Sequence, residues 1–313
     1  MKIGLLFAGQ GAQYPGMGRS LYECSAAARK VFDLAGEDIK DRCFNGTKET
    51  LRQTQVTQPC VYVVAMAAYE ALLEMTDGKL SPAGVAGFSL GEYSALTAAG
   101  VIEDVKKGLE IVRLRGELML QAGKGDGGMI AAFGKRQEIL NCVEAAREDG
   151  ILAGANFNTP IQTVVAGDMD ALTRFSKKAA ENKIKVVALS VSAAFHTSMM
   201  EQAAEPLRRM LLGAGLKKPK LKVYCNVTGG ELGEDVVGTM AKQVRSPVLW
   251  QETIENMTGD GIDMFVELGP GATLSGMVRK IAHGTAVLNV EDEKSLKKAA
   301  ETLSGVCDGR GDR

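Results

Sequence analysis

The stretch Gly84-Val85-Ala86-Gly87-Phe88-Ser89-Leu90-Gly91-Glu92-Tyr93-Ser94-Ala95-Leu96 constrains this chain more than any other. A small, apolar run leads into Ser89 and an Ala- and Leu-containing run comes after it. That pattern reads as strand, sharp turn and helix. Gly87-x-Ser89-x-Gly91 has the spacing of a nucleophile elbow. A serine at the apex of a strained strand-to-helix turn projects its hydroxyl clear of a sheet. Glycines on either side let neighbouring backbone pass without a Cβ clash. A helix starting right after the serine points free N–H groups at the reacting centre, and the Leu90 N–H is placed to hold an oxyanion. Ser89 is therefore read as a nucleophile rather than a turn serine.

Residues 2–7 read as a buried parallel strand opening into Ala8-Gly9-Gln10-Gly11-Ala12-Gln13-Tyr14. A dinucleotide fingerprint fails here, because the third glycine of G-x-G-x-x-G would fall at Tyr14. The loop is either a plain surface turn or a site wall whose N–H groups supply a second oxyanion donor. Helical patterns are expected near 20–35 and 58–75, with Pro59 in a first helical turn, and from the elbow to Gly100. In the helix near 104–121, Ile111, Val112, Leu118 and Met119 share one face, and Arg115 sits inside that apolar stripe. Arg113 instead joins Glu110 and Glu117 on a solvated face. A guanidinium in an apolar stripe needs an anionic partner, either an internal carboxylate or a substrate carboxylate.

The order of patterns from 123 to 192 is strand (129–133), helix (135–147), strands (151–155, 163–166), helix (169–182) and strand (186–191). This βαββαβ order is that of a ferredoxin-like module. The expected organisation is an α/β, hydrolase-like parallel-sheet core in residues 1–122 and 193–307. Residues 123–192 form the inserted ferredoxin-like subdomain, entered through the Gly-rich segment 123–128, and 308–313 a disordered tail. After the insertion comes Ala193-Ala194-Phe195-His196-Thr197-Ser198-Met199-Met200-Glu201, where Ser198-x-x-Glu201 reads as a capping box. The chain has only two histidines. His283 reads as a helix C-terminal residue. His196, at a helix start that disfavours imidazolium, is the better base for Ser89. No Asp or Glu stands out as a third triad member, so a backbone carbonyl is expected to orient the ring. Later strands are expected at 222–225, 264–268 and 287–290, with a helix over 240–245 that stops before Pro247.

Composition narrows the class. A net charge of −1 gives no electrostatic case for nucleic acid as a partner. Six scattered cysteines without a C-x-x-C pair form neither a disulfide framework nor a zinc site, so reduced and mostly buried thiols are expected. The N-terminus reads as a first strand rather than a signal peptide, and no apolar run approaches the ~20 residues of a spanning helix. A cytoplasmic location with no membrane partner is expected.

Taken together, these motifs resemble the malonyl-CoA:acyl-carrier-protein transacylases and the acyltransferase domains of fatty-acid and polyketide synthases. The resemblance runs from Phe7-Ala8-Gly9-Gln10-Gly11 to Val266-Glu267-Leu268-Gly269-Pro270-Gly271. It implies Ser89 as nucleophile, His196 as base and Arg115 as the partner of the malonyl carboxylate. It also implies the backbone N–H groups of Gln10 and Leu90 as the oxyanion hole, and the backbone carbonyl of Gln243 as the group that orients His196. Phe195 resembles the malonyl-type pattern, in which a bulky ring disfavours an α-methyl substrate. Phe88 departs from the histidine frequent before the family's nucleophile. The implied substrates are malonyl-CoA and acyl carrier protein, with no metal and no bound cofactor. Lys183, Lys185, Arg279 and Lys280 are candidates for meeting an acidic carrier, against a simple solvated charge run. The rival readings are a serine acyl hydrolase or thioesterase, a trans-acting acyltransferase of a polyketide pathway, and a non-catalytic carrier-docking module.

Overall fold

The computed structural model describes residues 1–123, 125, 127–191 and 193–307, the last three without their side chains. The expected tail 308–313 and the residues Lys124, Asp126 and Ser192 lie outside that set. Strand β1 (Ile3–Phe7) is buried along its whole length, as a central parallel strand must be. It pairs with β2 (Gly84–Gly87) on one side. The remaining strands are β3 (Gly127–Phe133), β4 (Leu152–Thr159), β5 (Gln162–Asp168), β6 (Lys185–Ala188), β7 (Val223–Tyr224), β8 (Met264–Leu268) and β9 (Ala286–Val290). The core sheet runs β7-β2-β1-β8-β9 with every pairing parallel.

The alternation along β1 explains the layers. Ile3, Leu5 and Phe7 point into the larger cluster, which contains the helix Thr54–Met75, while Leu6 joins Trp250, Ile254 and Val278 on the opposite face. That helix begins four residues before the expected 58, so Pro59 lies in its second turn rather than its first. At 22 residues and a hydropathy of 1.3 it is also long and apolar enough to cross a membrane, contrary to the expectation from the sequence. Its apolar surface is instead spent on the core, with 83% of its most apolar window buried inside the protein. The terminal helix Glu293–Cys307 was not anticipated, although Leu296, Ala299, Ala300 and Leu303 carry a helical spacing and are buried.

The small sheet has the order β4-β5-β3-β6, all antiparallel, which is the ferredoxin-like arrangement of a βαββαβ unit. Its two faces have different fates. Ile130, Ala132 and Val165 pack with the helices Arg136–Arg147 and Met169–Glu181 in a core of their own. Met129, Ala131, Val164 and Ala166 face the main body and belong to the large cluster. The inserted sheet therefore roofs the carboxyl ends of the core strands.

Two glycines fix the elbow. A Cβ on Gly87 would fall 1.9 Å from the Gly91 carbonyl carbon, and one on Gly91 would fall 2.1 Å from the Phe7 oxygen. Both obstacles are backbone and cannot rotate away. Gly91→Ala should lower stability by about 2 kcal/mol or more. Gly276→Ala, on the helix Thr273–Ile281 with open space where a Cβ would go, should be neutral or stabilise by up to about 1 kcal/mol. Thermal unfolding of the two variants beside the parent checks this, and equal melting temperatures would refute the steric account.

Candidate active site

The loop after β1, the elbow after β2 and the segment after the inserted sheet meet in one cavity of about 520 Å³. Gln10, Phe88, Ser89, Arg115, Phe195 and His196 all line it, with Asn156, Asn158 and Gln162 of the small sheet as a polar wall. Ser89 sits on the strand-to-helix turn with φ 51°, in the left-handed region where a side chain is strained. The helix Gly91–Ala98 starts two residues later. Among the described residues, neither the Gln10 nor the Leu90 backbone N–H donates to another backbone group. Gln10 lines the cavity, and Leu90 is fully buried next to Ser89.

Ser89 Oγ and His196 Nε2 are 2.8 Å apart. The other ring nitrogen, Nδ1, lies 3.1 Å from the Gln243 carbonyl oxygen and 3.0 Å from that of Ser246. Carbonyls only accept, so Nδ1 carries the hydrogen, and in the neutral ring Nε2 accepts from the Ser89 hydroxyl. Gln243 is the last residue of the helix Val236–Gln243, where carbonyls lose their intrahelical donors and turn to other partners. The helix ends two residues short of the expected 245 for the same reason: its last turn is given over to the histidine.

His196 itself has φ 62°. Thr197, not Ser198, supplies the cap: its hydroxyl accepts from the Met199 N–H of a short 3₁₀ turn before the helix Glu201–Gly213. The capping box expected at Ser198 is absent, and the helix begins five residues beyond His196, too far for its dipole to keep the ring neutral. Burial, and after it the charge of Arg115, hold the imidazole down to about 4, against the two carbonyls that favour its charged form. His283 lies exposed, beyond the end of the helix Thr273–Ile281.

Arg115 is only 1% exposed. Its Nη1 donates to Gln58 Oε1 at 2.8 Å, and its Nη2 donates to Ser89 Oγ and to Gln243 Oε1, both at 3.0 Å. The guanidinium lies over the Tyr93 ring, 5.3 Å from its centroid. Every hydrogen-bond acceptor it has among the described residues is neutral, and its Nε–H, though buried, has none. The internal carboxylate expected as one possible partner does not contact it among the described residues. The nearest relation to a carboxylate runs through the Gln243 side chain, whose Nε2 donates to Glu92 Oε2. Burial lowers the pKa of Arg115 and pushes Glu92 up to about 7, although Asn226, Gln243 and Arg115 favour the Glu92 anion.

Three side chains of the site were not singled out in the sequence. Glu92 was visible as a lone carboxylate in a small, apolar run. Gln58 was visible as an amide on an apolar helix. Asn226 gave no signal: it accepts the Ser89 N–H at 2.7 Å and donates to the Gly87 carbonyl at 2.8 Å, clamping the elbow across 137 residues of sequence. Phe195 is buried beside His196. Phe88 packs edge-on against Trp250, with ring centroids 5.4 Å apart, an apolar contact where the family often has histidine. Lys183, Lys185, Arg279 and Lys280 are all exposed. Four of the cysteines are buried thiols and Cys24 is exposed.

The folded pKa of His196 lies below its free value. Stability that this group leaves intact above pH 6.5 is therefore lost as the pH falls towards 4. In an NMR titration the His196 ring, identified by its absence in His196→Ala, should show a midpoint near 4. A midpoint at or above 6.5 would contradict the burial argument.

Comparison with known proteins agrees with this geometry. Residues 5–301 match the acyl transferase domain family. The malonyl CoA-acyl carrier protein transacylase of Bacillus subtilis is 36% identical over 312 residues, covering 96% of this chain and 97% of the relative. The crystal structure of the enzyme of that name from Clostridium perfringens superposes with a TM-score of 0.93 at 37% identity, covering 100% of both chains. A type II PKS acyl-carrier protein in complex with its malonyl-transacylase provides a further match, with TM-score 0.92, 32% identity, and coverage of 96% of this chain and 100% of that one.

Proposed function

This chain belongs to the acyl transferase family, and from that premise we propose that it transfers malonyl groups from malonyl-CoA to acyl carrier protein through an ester on Ser89. The reaction is ping-pong. Ser89 gives its proton to His196 Nε2 as its oxygen attacks the thioester carbonyl. The developing oxyanion takes the Gln10 and Leu90 N–H groups. Collapse breaks the C–S bond, and the CoA sulfur leaves with the proton returned by His196. The pantetheine thiol of the carrier then gives its proton to His196 and attacks the malonyl ester, regenerating Ser89. The Gln243 and Ser246 carbonyls orient the ring and balance its transient charge, in the place a carboxylate takes in other triads. The residues need no metal or bound cofactor for any of these steps. The same reading places the protein in the cytoplasm with its two substrates.

The observation that carries the substrate class is Arg115. A desolvated cation with only neutral acceptors among the described residues, 3.0 Å from the nucleophilic oxygen, suits an anion at the far end of a short acyl chain. A hydrolase of neutral esters would gain nothing from it. Phe195 narrows the same chamber, in keeping with an unbranched malonyl group.

Mixing the protein with malonyl-CoA should add one malonyl unit at Ser89, read by intact mass and peptide mapping. The ester should persist until the phosphopantetheinylated carrier is added, and then discharge. Acylation of Ser89→Ala to the same extent would exclude the assignment, and discharge into water without the carrier would favour a hydrolase. Arg115→Ala should lower kcat/KM for malonyl-CoA about ten- to 150-fold, the value of a lost charged hydrogen bond, and change that for acetyl-CoA little. Equal losses with a lower melting temperature would make Arg115 structural.

A further inference from the structure

Glu92 takes no part in the steps above, yet it is a carboxylate only 1% exposed at the centre of the site. Both of its oxygens are occupied by donors. Oε1 accepts the Asn226 N–H at 2.8 Å, and Oε2 accepts from Gln243 Nε2. Each donor belongs to a residue that holds reacting groups. Asn226 clamps the elbow backbone at Gly87 and Ser89. The Gln243 amide donates to the Ser89 carbonyl at 2.7 Å and accepts from Arg115, while its backbone carbonyl faces His196 Nδ1. We infer that Glu92 is a positioning residue that fixes the orientation of the Gln243 amide, and through it presents the Arg115 guanidinium, charge-balanced but unquenched, to the substrate carboxylate.

The argument is one of donors and acceptors. An amide has an oxygen side and an NH₂ side, and rotation by half a turn exchanges them. Oriented as it is, Gln243 offers oxygen to Arg115, which only donates. Turned over, it would set donor against donor. Both Glu92 oxygens accept, one from the Asn226 N–H and one from the Gln243 amide, so Glu92, with the Ser89 carbonyl, holds the NH₂ side and the correct orientation results. The charges point the same way. A guanidinium paired directly with a buried carboxylate would have that edge filled before substrate arrived. With a neutral amide between them, the anion is close enough to offset the buried cation and leaves the guanidinium able to take a second carboxylate. This inference rests on the malonyl-transfer reading.

The test uses Glu92→Gln, the double variant Glu92→Gln/Gln243→Glu and the parent protein. Acylation kcat/KM is measured for malonyl-CoA and acetyl-CoA, with melting temperatures alongside. In Glu92→Gln, one of the two donors facing residue 92 loses its acceptor. The Asn226 N–H is fixed in the backbone, so the Gln243 amide loses its acceptor at position 92 and is held only by the Ser89 carbonyl and Arg115. The ratio of malonyl to acetyl kcat/KM should fall about tenfold or more. In the double variant, the carboxylate introduced at position 243 accepts both from the amide introduced at position 92 and from Arg115. The ratio should stay low because the new carboxylate fills the guanidinium, and the melting temperature should recover only in part because the Ser89 carbonyl loses the Gln243 donor.

A ratio in Glu92→Gln within about twofold of the parent would overturn the inference, whatever happened to stability. So would recovery of the ratio in the double variant, since a carboxylate placed directly on the guanidinium would then leave malonyl selectivity intact. If Glu92→Gln does not fold, the double variant decides by the same criterion. Failure of the underlying reading would look different: the parent protein itself would not be acylated by malonyl-CoA at Ser89.

Discussion

A guanidinium taken out of water has to be satisfied by whatever surrounds it, and the burial of Arg115 organises this site. Its acceptors come from three separated parts of the chain: Gln58 on the long core helix, Ser89 on the elbow and Gln243 at a helix end. The same charge reaches further. It helps to keep His196 neutral, it stabilises the Glu92 anion against burial, and it lies over the Tyr93 ring. Water would screen all of these effects; at 1% exposure it does not. The neutral state of His196, the hydrogen bonding of Ser89 and the presence of a buried cation in the cavity thus share one physical origin.

Both reacting residues are held in the left-handed backbone region, Ser89 at φ 51° and His196 at φ 62°. Such conformations persist only where the surroundings over-determine them. At Ser89 the determinants are the glycines at 87 and 91, which allow backbone contact closer than any side chain permits, and Asn226, which holds the turn from both sides. At His196 they are the Val244 carbonyl, which accepts the backbone N–H at 3.2 Å, and the two carbonyls that fix the ring. The strain aims Oγ and Nε2 at each other.

The two sheets divide the work. The parallel sheet brings the ends of β1 and β2 side by side, with Phe7 in register with Gly87, so the Gln10 loop and the elbow are neighbours by construction. The antiparallel sheet spends one face on its own helices and the other on closing the cavity. That second face supplies the polar amides Asn156, Asn158 and Gln162 beside the apolar Met129, Ala131 and Val164, a mixed wall of the kind that small-molecule sites use.

The amino-acid sequence by itself determined whatever depends on local periodicity and steric need. The elbow is local, because Gly87, Ser89 and Gly91 satisfy one turn within five residues. The two-residue alternation along β1, the helical phase of Arg115 and the βαββαβ order are local too, and each could be read before folding. Resemblance to a known family singled out Gln10 within a loop already considered for an oxyanion donor, and pointed to Gln243, which no spacing marked. Tertiary structure alone decided which groups satisfy one another. Asn226 is an ordinary loop residue until the β2–β7 pairing sets it beside Ser89, and Glu92 is one helix carboxylate among others until Gln243 arrives 151 residues later in the chain. Arg115 could be seen to need a partner, but not that its partners would be neutral, nor that the nearest anion would stand one amide away. Hydrogen bonds between distant segments leave no period in a sequence; they exist only once the sheets have brought the segments together.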